Sequence, residues 1–577
     1  MAIDFKNPEH RRKLQSAIKR SYEKGSGERE RRADLKRIYE DRPLLADLFL
    51  DDKTKTAYLN LFSMFVRGVE INFAYRAPKF SVNARTVQGK GFDKRAQAFL
   101  EQYNCMLNMA SLIERWAVDC AFGRAVAKVV TSIAPKGITS PTAPRCFRIN
   151  PDWYIPDRSA AHPEEMTYAC DIYFVDLEEA RKHPHFNEVR RKTLEPWATA
   201  SGGTAFLGDN SDKDLFATDQ VRLIDVYIPT TGKIGTWPCS SDAFSEIANE
   251  EPLQELESSI NPYKQCDLIF TPDSLAEISR LGQLRPLNML ANDLYTKVAN
   301  QARHSKRNPL AKIGDEQEAS ALVDKPDNEV AFLNDTKAVD MFVFPGPDGS
   351  VMGMANDAAS KFSDGAGNLA VGLGVSPGAS TARQTQALIG QINQAQAVDR
   401  MKYERFLSEI AKGILSLAFK DESLQLSYAQ KVGGFWMNVG WGPPHMLPRV
   451  GEVDDYMVEV VPYSTAFRGP QERLGQLKQA SDLVFSAMQQ QALGAPINLE
   501  AVITDCAESF DLIPNLIEWY SGEPPTPQDK AGQVYRSMAG PSQGSEVSYN
   551  SNAGAGGRGE FGSVPLPAGL ASSGQMV

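Results

Sequence analysis

The densest group of side chains able to do chemistry lies between residues 149 and 186. The run INPDWYIPDR (149–158) sets Asp152 and Asp157 around an aromatic pair. YACDIYFVDLEEARKHPHF (168–186) adds Asp171, Asp176, His183 and His185, with His162 between the two runs. Imidazoles near carboxylates are the materials of a divalent metal site or a general acid–base pair. The spacing completes neither. His183 and His185 flank a proline, and no HExxH or CxxC pattern supplies further ligands. Asp152 suits a turn cap at INPD, Asp157 follows Pro156, and Asp176 sits where DLEEARKH wants its N-cap. We therefore read the run as strand and turn, its histidines on the surface or satisfied.

Other chemistries fare no better. GLGVSPGAST (372–381) has the glycines of a phosphate loop but not the lysine of GxxxxGK[ST], and QGKGF (88–92) and TTGKIGT around Gly232 miss the spacing. No GxSxG nominates a nucleophilic serine. The sequence points to no catalytic residue, metal ligand or cofactor, and it does not read as an enzyme. Local basic charge gathers in QARHSKRNP (301–309), with Arg303, Lys306 and Arg307. The bland account is favourable charge at a helix C-terminus; the sharper one is a phosphate-contacting patch on a DNA path.

The elements that must position these residues are helical at first. Residues 1–40 carry 12 Lys/Arg against 7 Asp/Glu, read as a charged surface helix or arm broken at GSG (25–27). Helical spacing recurs over 43–75, and over 92–122 it predicts one longer amphipathic helix that Gly123 ends. AVAKVVTSIA then reads as a strand, as do CFRINPDWYIPD, MTYACDIYFV, QVRLIDVYIPTTGKIGTW and DLIFTP (267–272). A helix is expected from Pro286, taken as its N1 residue, and a second from Ser380 to Phe419, about 60 Å long at 1.5 Å per residue. Between them FVFPGPDGSVMGMANDAASKFSDGAGNLAVGLGVSPGAS reads as a long functional connection. Helices are expected from Pro470 and over 498–519. From Ser521 onward, 11 glycines in 57 residues read as a disordered tail.

Of the 577 residues, 42% are apolar and 23% charged, enough for a large α+β protomer. A net charge of -10 argues against a protein that coats nucleic acid with a basic surface. Seven scattered cysteines suggest neither a disulfide framework nor a zinc knuckle. MAIDFKNPEHRRKLQ lacks a signal peptide's apolar core, and no run of 18 apolar residues would anchor the chain in a membrane. The expectation is cytoplasmic synthesis and a soluble fate.

Order and spacing carry a resemblance. ERWAVDCAFGRAVAKVV (114–130), the run 149–184, RPLNMLANDLYTKVANQAR (285–303), GASTARQTQALIGQINQAQAVDRMKYERFLSEIAKGIL (378–415) and VVPYSTAFRGPQERLGQLKQASDLV (460–484) together resemble the portal proteins of short-tailed bacteriophages. The likeness spans most of residues 40–520 and has no single sharp motif. It implies a portal-type protomer, with a wing over 41–218, a small clip region over 219–272 and a stem helix region over 273–310. A wing strand and tunnel-loop region would cover 311–378, and the long wing helix with wing and crown-side helices 379–520. The 1–40 arm and the 521–577 tail flank these. It also implies a ring of about twelve copies at one capsid vertex. The partners would be the terminase large subunit, tail or adaptor proteins, the major capsid protein, and double-stranded DNA passing without sequence specificity. Arg303, Lys306, Arg307 and Lys361 would face the channel. Physics agrees in outline: a largely acidic protein does not grip a polyanion at every step, and a closed ring uses two different faces of each protomer. Two rivals stand beside it, a metal hydrolase using Asp171, His183 and His185, and another virion scaffold or nucleic-acid-binding structural protein.

Overall fold

A computed structural model describes residues 3–40, 59–90, 92–133, 142–197, 220–239, 244–258, 260–304, 307–311, 339–343, 348–367, 382–432, 435–442, 449–461, 464–465, 470–492 and 502. The expected helix over 498–519, the tail and most of the 311–378 region lie outside these residues.

Helix α1 (Pro8–Lys24) starts with proline at N1 and Asn7 accepting from the Glu9 amide at 2.9 Å; it ends at Gly25, where α2 (Ser26–Tyr39) begins. The break falls where GSG placed it. The solvated-helix reading fails, because Leu14, Ile18, Arg32 and Leu35 are buried. Charge-rich helices still bury a stripe when one face meets a core.

Helix α3 (Leu61–Phe73) and strand β1 (Phe80–Ala84) follow. The single helix expected over 92–122 is two, α4 (Phe92–Met106) and α5 (Met109–Phe122). Asn108 breaks it with φ 51°, a left-handed conformation asparagine tolerates better than most residues. The apolar stripe runs through the break, so periodicity alone did not show it. Gly123 ends α5 at φ 154°. A Cβ there would sit 1.8 Å from Glu277 Oε1, so only glycine leaves room for that carboxylate.

Strand β2 (Arg124–Ile133) pairs with β3 (Thr142–Ile149). A 3-10 turn at Pro151–Trp153 leads to β4 (Tyr154–Pro156), in a different sheet. Then come β5 (Ala169–Asp176), short helices α6 (Leu177–Lys182) and α7 (Glu188–Arg191), the hairpin β6 (Gln220–Ile228) and β7 (Lys233–Pro238), α8 (Ser245–Asn249), β8 (Gln254–Glu257) and β9 (Tyr263–Asp267). The strand expected at 267–272 thus lies earlier and stops at Asp267. Two sheets result, ordered β3-β2-β9 and β4-β5-β6-β7-β8. Both draw strands from 41–218 and from 219–272, so those segments fold together.

Helix α9 (Arg280–His304) begins a turn and a half before Pro286, which lies inside it rather than at N1. Strands β10 (Arg307–Ala311) and β11 (Val339–Val343) form a two-stranded ladder. The segment read as a glycine-rich connection contains helix α10 (Gly349–Gly365). Asp348 caps it, and Ala355, Ala358 and Phe362 bury one face, so small residues at helical spacing outweighed the glycines. Helix α11 (Ala382–Lys420) is the long helix, followed by β12 (Leu426–Val432), β13 (Phe435–Trp441), β14 (Tyr456–Val460), which pairs with β1, and α12 (Pro470–Ala492).

The fold is mixed α+β with open sheets. The largest core joins α3, α4, α5 and the C-terminal half of α11 to one face of β2, with Trp116, Phe406 and Ile410 fully buried. Phe5, Leu14 and Ile18 cover one face of the five-stranded sheet around Trp237. Its other face meets the three-stranded sheet through Val126, Tyr154, Tyr227 and Tyr263. No helix among the described residues is long and apolar enough to cross a membrane.

Candidate functional site

The four aspartates of the opening run go four separate ways. Asp152 pairs with Arg32 Nε at 2.7 Å and Lys36 Nζ at 2.8 Å, tying α2 to the turn before β4. Burial works against its charge, but Arg32 and Lys36 outweigh burial and hold its pKa below the ordinary value. Arg32 also pairs with Glu277 in nearly complete burial. Asp157 accepts from Ser159 and Thr167 through both their amides and their hydroxyls, a closed turn. Asp176 caps α6 through the amides of Glu178 and Glu179.

Asp171 alone enters a cluster. Its backbone pairs Asp171 with Asp225 across β5 and β6, both side chains facing the three-stranded sheet. Lys128, in phase on β2 with the buried Val126, reaches Asp171 Oδ1 and Asp225 Oδ2, each at 2.6 Å. Tyr173 and Thr236 donate to Asp225 Oδ1 at 3.0 and 2.7 Å, and Tyr263 donates to Asp171 Oδ1. Sequence reading picked out Asp171 but missed Lys128, Asp225 and Tyr263. The signal was a lysine at an inward position of AVAKVV.

The histidines do not join it. His183 ends α6 and stacks on Phe186 with ring centroids 4.2 Å apart, with His185 5.8 Å away. Burial, then the neighbouring His185 and Arg191, lowers the His183 pKa and favours the neutral ring. His185 and Phe186 border an open cleft of about 280 Å³ shared with Glu251 and Glu255. Among the described residues no group of three or more His, Cys, Asp or Glu side chains is placed to hold a metal.

Of the candidate DNA-facing residues, Arg303 lies in the last turn of α9, Arg307 opens β10, and Lys306 falls outside the described residues. Lys361 is exposed on α10 and pairs with Asp357 at 2.8 Å. Helices α9 and α10 run antiparallel: Tyr295 hydrogen-bonds Asn356 at 2.7 Å, and the Asp348 amide donates to Gln301 at 3.2 Å. Continuing that register sets Lys361 beside Met289, roughly 20 Å along the axis from Arg303. The structure does not bring Lys361 and Arg303 together. Four large apolar side chains stand exposed on this pair: Met289, Leu290, Met352 and Met354.

No known protein family matches this chain, and no curated protein matches it.

Proposed function

We propose that the chain is the protomer of a ring-shaped portal at one capsid vertex, through which DNA is packaged and ejected. It would serve as docking site for the terminase large subunit and for tail or adaptor proteins, beside the major capsid protein. The reading rests first on the order of segments across residues 40–520, and it is not an enzymatic one. In this reading α9 is a stem helix, α11 the wing backbone, and the 350–378 segment includes the tunnel loop. Arg303, Lys306, Arg307 and Lys361 are then offered as channel-facing cations.

The structural observation offered in support is a set of exposed apolar side chains on three successive long helices. Met289 and Leu290 on α9, Met352 and Met354 on α10, and Val398 and Met401 on α11 are all open to solvent, Met401 by 62%. A second subunit laid over these helices would cover them. Arg280 pairs with Asp399 at 2.7 Å and ties α9 to α11. Native mass spectrometry with negative-stain imaging tests the proposal. Twelve copies of the 63.5 kDa chain give about 760 kDa and a central hole. A stable closed dimer carrying bound metal overturns it.

A further inference from the structure

One charge imbalance is sealed between the two larger sheets. A single ammonium, Lys128, faces two carboxyl groups, Asp171 and Asp225, and all three residues are buried. The other groups turned toward them are neutral donors: Tyr173 from β5, Thr236 from β7 and Tyr263 from β9, with the Tyr154 ring of β4 tilted against that of Tyr263. Burial and the nearby aspartates push the Tyr173 and Tyr263 hydroxyls well up, so both stay protonated. Cys170 belongs to the core on the opposite face of the sheet. The next cation along β2, Arg124, is spent on Asp267 through two bonds of 2.7 and 3.0 Å. Asp171 Oδ2 is buried with no hydrogen-bond partner. An ionised oxygen in that position is far more costly than the oxygen of a neutral acid.

We propose that Asp171 is kept as the neutral acid at neutral pH, so that it forms with Lys128 and Asp225 an electroneutral latch between the two sheets, which loosens when that proton leaves. The step breaks only the carboxyl O–H bond. The proton goes to solvent, and the site passes from zero net charge to one buried negative charge. Burial raises the Asp171 pKa first; Lys128 opposes the rise and Asp225 adds to it. Burial lowers the Lys128 pKa, but the two carboxylates outweigh burial and raise it, so the acid gives up its proton before the ammonium does. A raised folded-state pKa gives stability that is present at low pH and lost as pH rises through the folded value. The latch's contribution is therefore full below the ordinary carboxyl range and falls as pH rises from there through the folded Asp171 value. It is independent of the ring proposal.

The test uses the full-length protein with D171N and D225N. In infrared difference spectra of wild type minus D171N at neutral pH, the carbonyl stretch of a protonated carboxyl appears. The wild-type melting midpoint falls toward alkaline pH, while D171N holds its neutral-pH value and D225N melts lower throughout. Carboxylate bands alone at neutral pH overturn the proposal, as does a D171N midpoint depressed as far as that of D225N. If D171N does not fold, wild type labelled with carbon-13 aspartate decides. Its protonated carbonyl band must convert to carboxylate bands on raising the pH, and its absence at neutral pH is disproof.

Discussion

The contact between the two larger sheets and the α9–α10 helix pair distribute polarity in opposite ways. At the sheet contact, Lys128, Asp171 and Asp225 lie among Val126, Tyr227 and Tyr263, charges inside an apolar layer. On the helix pair, Met352 and Met354 face outward while Asn288 is buried. The first region can hold charge because Lys128 and both oxygens of Asp225 find partners at short range. The second can expose apolar surface because Leu281, Leu284 and Ala291 of α9, and Ala358 and Phe362 of α10, already anchor it to the largest core. Position in a strand or helix sets which side of the rule each residue breaks.

The largest effect is expected from taking the cation out of the sheet contact. Lys128→Met keeps an unbranched side chain one atom shorter and leaves two carboxyl groups without a countercharge. Removing one partner of a buried ion pair lowers stability by about 3–5 kcal/mol. Replacing Lys128, Asp171 and Asp225 together by Met, Asn and Asn removes the uncompensated charge and should recover most of the loss. Urea midpoints of the two variants check this. Equal losses in both would mean that packing, not charge, governs the contact.

Much of this frame was legible. Asp176 as a cap, Gly123 as a stop, Pro470 as a start and the helical break beside Gly25 are local features, and each acts within a turn of its own position. What stayed hidden is not local. Asp171 and Asp225 meet only because β5 and β6 pair in one register across 54 positions of chain. Lys128 is recognisable as inward-pointing from AVAKVV, but its partners lie on other strands. Helix α10 was missed for a different reason. Its face is built from alanines and one phenylalanine, and composition hid a spacing that was present.

A smaller effect separates the helix pair's internal contact from its outer face. Tyr295→Phe keeps the ring and deletes the 2.7 Å hydrogen bond to Asn356. The expected loss is about 0.5–1.5 kcal/mol, toward the low end because the bond is open to water. Amide exchange should quicken in 349–365 and stay unchanged in β5 and β6. Faster exchange in both would couple the regions that the comparison treats as separate.

The smallest effect on protomer stability is expected from the outer face itself. Leu290 and Met354 are 47% and 60% exposed, and neither belongs to a buried core cluster. Leu290→Asp with Met354→Asp should therefore shift the urea midpoint by no more than about 0.5 kcal/mol equivalent, as for most surface changes. If these residues lie in the proposed subunit contact, assembly should respond far more strongly, because two carboxylates would be desolvated there. If the wild type forms the large ring and the double variant only small species of unchanged melting temperature, the exposed methionines and leucine belong to the subunit contact. If the variant still forms the ring, that contact lies on other faces of the protomer, and the apolar surface of α9 and α10 needs a different occupant.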